Sequence, residues 1–201
     1  MEAFENLSQA KQQRIINAAL REFSDKSYRS ASTNTITEQA GISKGALFHY
    51  FGSKQQLYHY LMDHTSQQIK AKVLDGLPRT DDLIELFQII SQRKAKLATS
   101  YPLMFDFLYR VFREQPEDLK YTELVRQTVE LMNVLSSDTI DTSRFREGID
   151  LAKAIDICSW MTEGYAKKYA QTHPQMAVED MLVAADELFD TLRVMLYKEG
   201  V

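Results

Sequence analysis

Apolar residues recur at helical spacing along most of the chain, and no stretch keeps the two-residue alternation of a half-buried strand. Ile16, Ala19, Leu20 and Phe23 form one stripe and predict a first helix from about Ser8 to Ser24. After Asp25-Lys26-Ser27, the hydroxyls of Ser30, Ser32 and Thr33 offer caps for a short second helix that buries Ile36 and Ala40 and stops at Gly41. A third short helix opens at Ser43 and buries Leu47 and Phe51, one turn apart. Ser53 starts a fourth, which passes Leu57 and Leu61 and runs to about Lys72.

Asp75-Gly76-Leu77-Pro78 then punctuates the chain. Further helices are expected at 81–100, 102–113, 117–135, 145–171 and 178–198, separated by Pro102, Pro116, the polar run Ser136 to Ser143, and His173-Pro174. The expected fold is all-α: an N-terminal three-helix head with a helix-turn-helix, residues 1–54, and a helical body, residues 55–201. Only 7 Gly and 4 Pro interrupt the 201 residues, in keeping with long helices.

Charge changes this picture. The formal net charge of −4 disfavours nucleic acid as a partner if taken whole, yet residues 1–60 carry seven Lys/Arg against five Asp/Glu and the rest 17 against 23. A mildly basic head on an acidic body permits local phosphate contact. The polar first 14 residues have no apolar core of a signal peptide, and no later run is long enough to span a bilayer, so a cytoplasmic protein is expected. The single cysteine, Cys158, reads as a small apolar helix residue, and no metal site is expected on it. No Gly-rich phosphate loop, HExxH or Cys/His cluster occurs, and the four histidines make no Ser-His-Asp arrangement that stands out; no catalytic residue and no cofactor is expected.

The chemistry concentrates between Thr33 and Phe51. Two short helices around a Gly-containing turn, closed by Phe23, Ile36, Leu47 and Phe51, are the arrangement in which the second helix enters the major groove. With Leu47 and Phe51 inward, Lys44, Gly45, Phe48 and His49 fall on the outer face. Lys44 suits guanine O6 and N7, Gly45 permits close backbone approach, and Phe48 suits a thymine methyl. His49 and Tyr50 can donate to phosphate or base oxygens, Thr33 sits at a helix N-terminus suited to phosphate, Asn34 beside it is a base-reading candidate, and Lys54 opens the next helix within reach of the DNA backbone.

The segment Ser32-Thr33-Asn34-Thr35-Ile36, followed by Ala40 through Phe51 and Lys54, resembles the signature of the TetR family. The likeness covers about Ile15 to Leu57. It implies an all-helical homodimer with DNA contacts at Thr33, Asn34, Ser43, Lys44, Gly45, Phe48, His49, Tyr50 and Lys54, and a body that binds a small effector. It further implies a repressor of a palindromic operator, released when effector alters the spacing of the two heads from the about 34–36 Å of successive major-groove half-sites. Ala46 stands where some members carry a hydroxyl or amide, and Phe48 where many carry Tyr.

In the body, the last two helices carry broad apolar faces, Ile149, Ala152, Ile155, Trp160, Met161 and Tyr165 on one and Met181, Leu182, Ala185, Leu188, Phe189, Leu192 and Met195 on the other. Two copies of this pair can form a four-helix bundle, the expected dimer interface. An effector pocket is expected among the aromatic residues of 81–171, with Tyr101, Phe105, Tyr109, Trp160 and Glu163 as candidate contacts. An activator or effector-independent regulator of the same fold fits the same residues, and an enzyme or small-molecule carrier is the reading from another class.

Overall fold

The computed structural model describes residues 2–114, 135, 138–173 and 178–200, which fall into two compact units. The first unit comprises residues 2–71 with 97–114. Its elements are α1 (Glu2–Glu5), α2 (Gln9–Asp25), α3 (Thr33–Ala40), α4 (Lys44–Phe51), α5 (Lys54–Ile69) and α7 (Met104–Glu114). A π-turn at Lys70–Leu74 follows α5, and α6 (Leu83–Ser100) enters the first unit only with its last turn.

The expected stripe is the core of the first unit. Ile15, Ile16, Ala19, Leu20 and Phe23 are buried with Ile36, Ala40, Leu47, Phe51, Leu57 and Leu61. The unit extends beyond residue 54 because Phe23 and Tyr58 both pack against Phe107 of α7, with ring centroids 6.5 and 5.5 Å away. Polar bonds hold α7 on α2 as well. Arg110 donates from Nε to the Ser24 carbonyl at 2.6 Å and from Nη2 to the Asp25 carbonyl at 3.1 Å, at the end of α2 where carbonyls lack helical partners. Gln13 and Asn17 of α2 both donate to the Ser100 carbonyl, at 2.8 and 3.0 Å.

The second unit comprises residues 72–96 with the described residues from 135 onward. It contains most of α6, a 3-10 turn (Thr142–Arg144), α8 (Leu151–Thr172) and α9 (Val178–Leu196). Asp82 is its polar hub, accepting from Glu85 N at 3.0 Å, Tyr197 Oη at 2.8 Å and Arg193 Nη1 at 2.6 Å. Burial works to raise its carboxyl pKa, but these bonds outweigh burial and hold it below the usual carboxylate range.

Two expected boundaries are corrected. The helix expected from 145 starts at Leu151, because Phe145 forms an antiparallel bridge with Tyr197 and Arg146 N donates to the Leu196 carbonyl at 2.9 Å, which holds this segment extended. Asp150 then caps α8 by accepting from Lys153 N at 2.8 Å. The segment Glu2–Glu5, which lies before the first expected helix, is the short helix α1, and its Phe4 is fully buried. The helix expected at 117–135 falls outside the described residues, except for Leu135, which lies in a turn.

Candidate nucleic-acid interface

Local capping chemistry builds the helix-turn-helix. The Ser32 hydroxyl accepts from Thr35 N at the start of α3. Gly41 closes α3 in the left-handed region at φ 63°, where a side chain is disfavoured, and its N–H returns to the Glu38 carbonyl. Ile42 N donates to the Thr37 carbonyl at 3.1 Å, which completes the turn. Ser43 caps α4, accepting from Ala46 N at 3.1 Å, and Ser53 caps α5 in the same way.

Ions aimed at the main chain fix α3 and its approach. Glu22 of α2 is buried, and its Oε1 accepts from Ser32 N at 2.8 Å and from Lys26 Nζ at 3.0 Å. Arg14 Nε donates to the Ala40 carbonyl at 2.8 Å, holding the other end of α3. These two contacts grip one eight-residue helix at both termini from α2. Such a helix is too short to be stable alone, so its placement depends on such contacts.

The residues expected to face DNA divide into three groups. Lys44, Gly45 and His49 are exposed and Phe48 is half-buried, while Leu47 and Phe51 turn inward, so the division of α4 into two faces holds. Gly45 meets nothing on its outer side: an added Cβ would find no atom nearer than Ser43 Oγ at 3.9 Å. The fold leaves this approach open. Asn34 is exposed and Thr33 half-buried at the start of α3, and the exposed Ser43 uses its oxygen as a cap. Tyr50 is half-buried, its ring 6.1 Å from Phe4 and 5.9 Å from His49.

Lys54 is placed differently from expectation. Its ammonium donates to the carbonyls of Tyr28, Arg29 and Ala31 at 2.7, 3.2 and 3.1 Å and lies 4.8 Å from the centroid of the Tyr28 ring. An ammonium has three N–H donors, so this loop engages all of them. Sequence alone gave no sign of it, because the convergence of three carbonyls is a property of the loop's conformation.

The candidate effector contacts are distributed over both units. In the first, Tyr101 is half-buried and edge-on to His64, with centroids 5.2 Å apart, and Phe105 is half-buried. Tyr109 is 69% exposed and lines a cleft of about 210 Å³ with Ser24, Asp25, Leu103, Asp106, Arg110 and Arg113. In the second, Trp160 is 69% exposed and Glu163 is exposed on α8. The Cys158 thiol is buried, which pushes its pKa up to about 12 and leaves it inert. Among the described residues no three metal-ligating side chains cluster, and no helix is long and apolar enough to cross a membrane.

Residues 15–61 match the sequence model of bacterial regulatory proteins of the tetR family. The chain is similar to the uncharacterized HTH-type transcriptional regulator YuxN of Bacillus subtilis, with 34% identity over 125 residues covering 58% of this chain and 38% of that protein. It is also similar to the HTH-type transcriptional repressor AcnR of Corynebacterium efficiens, with 39% identity over 46 residues covering 23% of this chain and 24% of that one. The matched part is thus well under half of the length of either relative. In fold it resembles a TetR family transcriptional regulator from Chloroflexus aurantiacus, with a TM-score of 0.71 over 99% of both chains at 19% identity.

Proposed function

Because the chain belongs to the TetR family of bacterial regulatory proteins, we propose that it is a cytoplasmic homodimer that reads a palindromic operator and represses transcription until a small molecule releases it. The observation that carries the DNA reading is the two-faced α4: Leu47 and Phe51 are buried while Lys44, Gly45 and His49 stay exposed, on a helix whose N-terminus is capped by Ser43. Lys44, His49 and Asn34 supply base-edge contacts, Phe48 a surface for a thymine methyl, Gly45 close backbone approach, and Thr33, Ser43 and Tyr50 phosphate contacts. Lys54 acts one step behind them by holding the loop into α3. Residues 1–54 carry this reading surface and residues 55–201 the effector and dimer functions.

Trp160, Val183, Val194 and Met195 on α8 and α9 are each at least 50% exposed, an apolar set suited to burial against a second copy. The half-buried rings of Tyr101 and Phe105 suit an apolar effector better than the outward Tyr109 and Trp160 do. The test is footprinting of the purified protein on DNA it selects itself, with Lys44→Ala alongside. Lys44→Ala is expected to lose about 1–3 kcal/mol of discrimination at one base position in each half-site. Unchanged affinity and footprint at physiological salt would remove α4 from the reading role.

A further inference from the structure

We propose that α1 is a strap that sets the angle of α4, with Phe4 as the positioning residue for operator recognition; this rests on the DNA-binding reading above. Phe4 is fully buried, and its ring packs against three others: Phe51 at 4.7 Å, Tyr50 at 6.1 Å and Tyr60 of α5 at 5.4 Å. Two of these belong to the last turn of α4, and the third to the helix that follows it. The ring is therefore a wedge between the candidate reading helix and α5.

The strap has its own fastening. Gln12 of α2 donates from Nε2 to the Glu5 carbonyl at 2.9 Å and to the Leu7 carbonyl at 3.0 Å, which fixes the turn between α1 and α2. Leu7 N closes the same turn onto the Phe4 carbonyl at 3.1 Å. From Phe4 the rings continue without a break to Tyr60, His64 and Tyr101, at centroid spacings of 5.4, 5.8 and 5.2 Å. The strap thus ties the last turn of α4 to the middle of α5 and to the corner after α6, all within the first unit. It lies wholly outside residues 15–61, the part that matches the family.

The consequence follows from what each kind of DNA contact needs. Phosphate contacts tolerate a small tilt of α4, whereas hydrogen bonds to base edges do not. Removing the wedge should reduce discrimination between sequences and leave non-specific binding nearly intact. A merely structural role would lower both together.

The experiment uses the full chain, with a duplex selected by the wild-type protein from a randomised pool and a scrambled duplex of the same composition, at fixed salt. Phe4→Ala is expected to weaken binding to the selected duplex roughly tenfold and to the scrambled duplex by less than about twofold, with Phe4→Leu recovering most of the difference. Gln12→Ala, which loosens the strap without opening the core, should shift the ratio in the same direction. An unchanged ratio in Phe4→Ala, or equal losses on both duplexes, overturns the strap. Where Phe4→Ala does not fold, Gln12→Ala decides, and full discrimination there overturns it. If the wild-type protein selects no duplex at all, the DNA-binding reading itself falls and the strap with it, an outcome distinct from the others.

Discussion

Replacing Lys54 by Met separates two roles that one lysine can have at the edge of a DNA-binding head. The substitution keeps most of the apolar stem and removes the ammonium, leaving the carbonyls of Tyr28, Arg29 and Ala31 without their shared donor. A hydrogen bond to a charged group contributes about 1.5–3 kcal/mol, and two of the three bonds, to Tyr28 and Ala31, are part-buried. The side chain keeps some access to water, so its bonds are weaker than their sum, and roughly 2–3 kcal/mol is the expected loss. In a chain of this size that lowers the melting temperature by roughly 5–10 °C.

The second readout is the salt dependence of DNA binding. A lysine that neutralises a phosphate contributes about 0.9 to the slope of log K against log salt, and its removal lowers the slope by that amount. The bonds of Lys54 to its own loop imply that Lys54→Met lowers stability and leaves the slope per protomer unchanged. Urea denaturation and a salt titration of gel-shift affinity measure the two separately. A slope reduced by about one with stability intact would refute the assignment and return Lys54 to the phosphate backbone.

Three further outcomes follow from other residues. Thr65 is fully buried in α5 and its hydroxyl has no hydrogen-bond partner among the described residues, so Thr65→Val should raise stability by about 1 kcal/mol in a urea melt by removing an uncompensated desolvation; a loss of stability would show the hydroxyl to be satisfied. His64 has its pKa lowered from 6.5 by burial, and Nε2 has no partner among the described residues, so the folded state favours the neutral ring. The unfolded chain then binds more protons below about 6.5, and stability present above that pH is lost on acidification; the loss should be smaller in His64→Phe, and an identical pH profile for the two proteins would contradict this. Trp160 is the single tryptophan and is 69% exposed in one chain, so its emission should move to shorter wavelength as protein concentration rises and dimers form, and Trp160→Glu should sediment as a monomer; emission independent of concentration with an intact Trp160→Glu dimer would place the interface elsewhere.

The helix-turn-helix was legible because its determinants are local. Ser32, Gly41, Ser43 and Ser53 each act within four residues of their own position, and Leu47 and Phe51 declare the inner face by spacing alone. Helix α1 was not legible. Four residues make one turn and carry no periodicity, and the partners that fold it, Phe51 and Tyr60, stand about fifty residues on. The start of α8 was misread for a related reason. Ile149 fits the apolar rhythm of the helix, but residues 145 and 146 are held extended by Leu196 and Tyr197 near the other end of the chain. The candidate effector contacts are the least legible, since an aromatic on a helix has the same spacing whether it faces a core, a pocket or a second protomer.

The positions of Arg14, Glu22 and Lys54 alter what the charge of the head means. Residues 1–60 hold seven Lys/Arg, a modest number that reads as phosphate-binding potential. Yet Arg14 bonds the end of α3, Lys26 bonds Glu22, and Lys54 holds the loop before α3, so three of these cations serve the placement of the helix-turn-helix. Of the other four, Arg21, Arg29 and Lys44 are exposed and Lys11 is half-buried, and Lys26 is itself exposed despite its bond to Glu22. A head with so few outward cations gains little affinity from counterion release, which depends on the number of phosphates neutralised. On the proposed reading, recognition leans on base-edge contacts from α4 and on two heads at the right spacing, both of which are sensitive to small displacements. On that reading the side chains aimed at main-chain groups matter because they fix the placement of α3, and in a weakly basic head placement decides more of the binding than charge does.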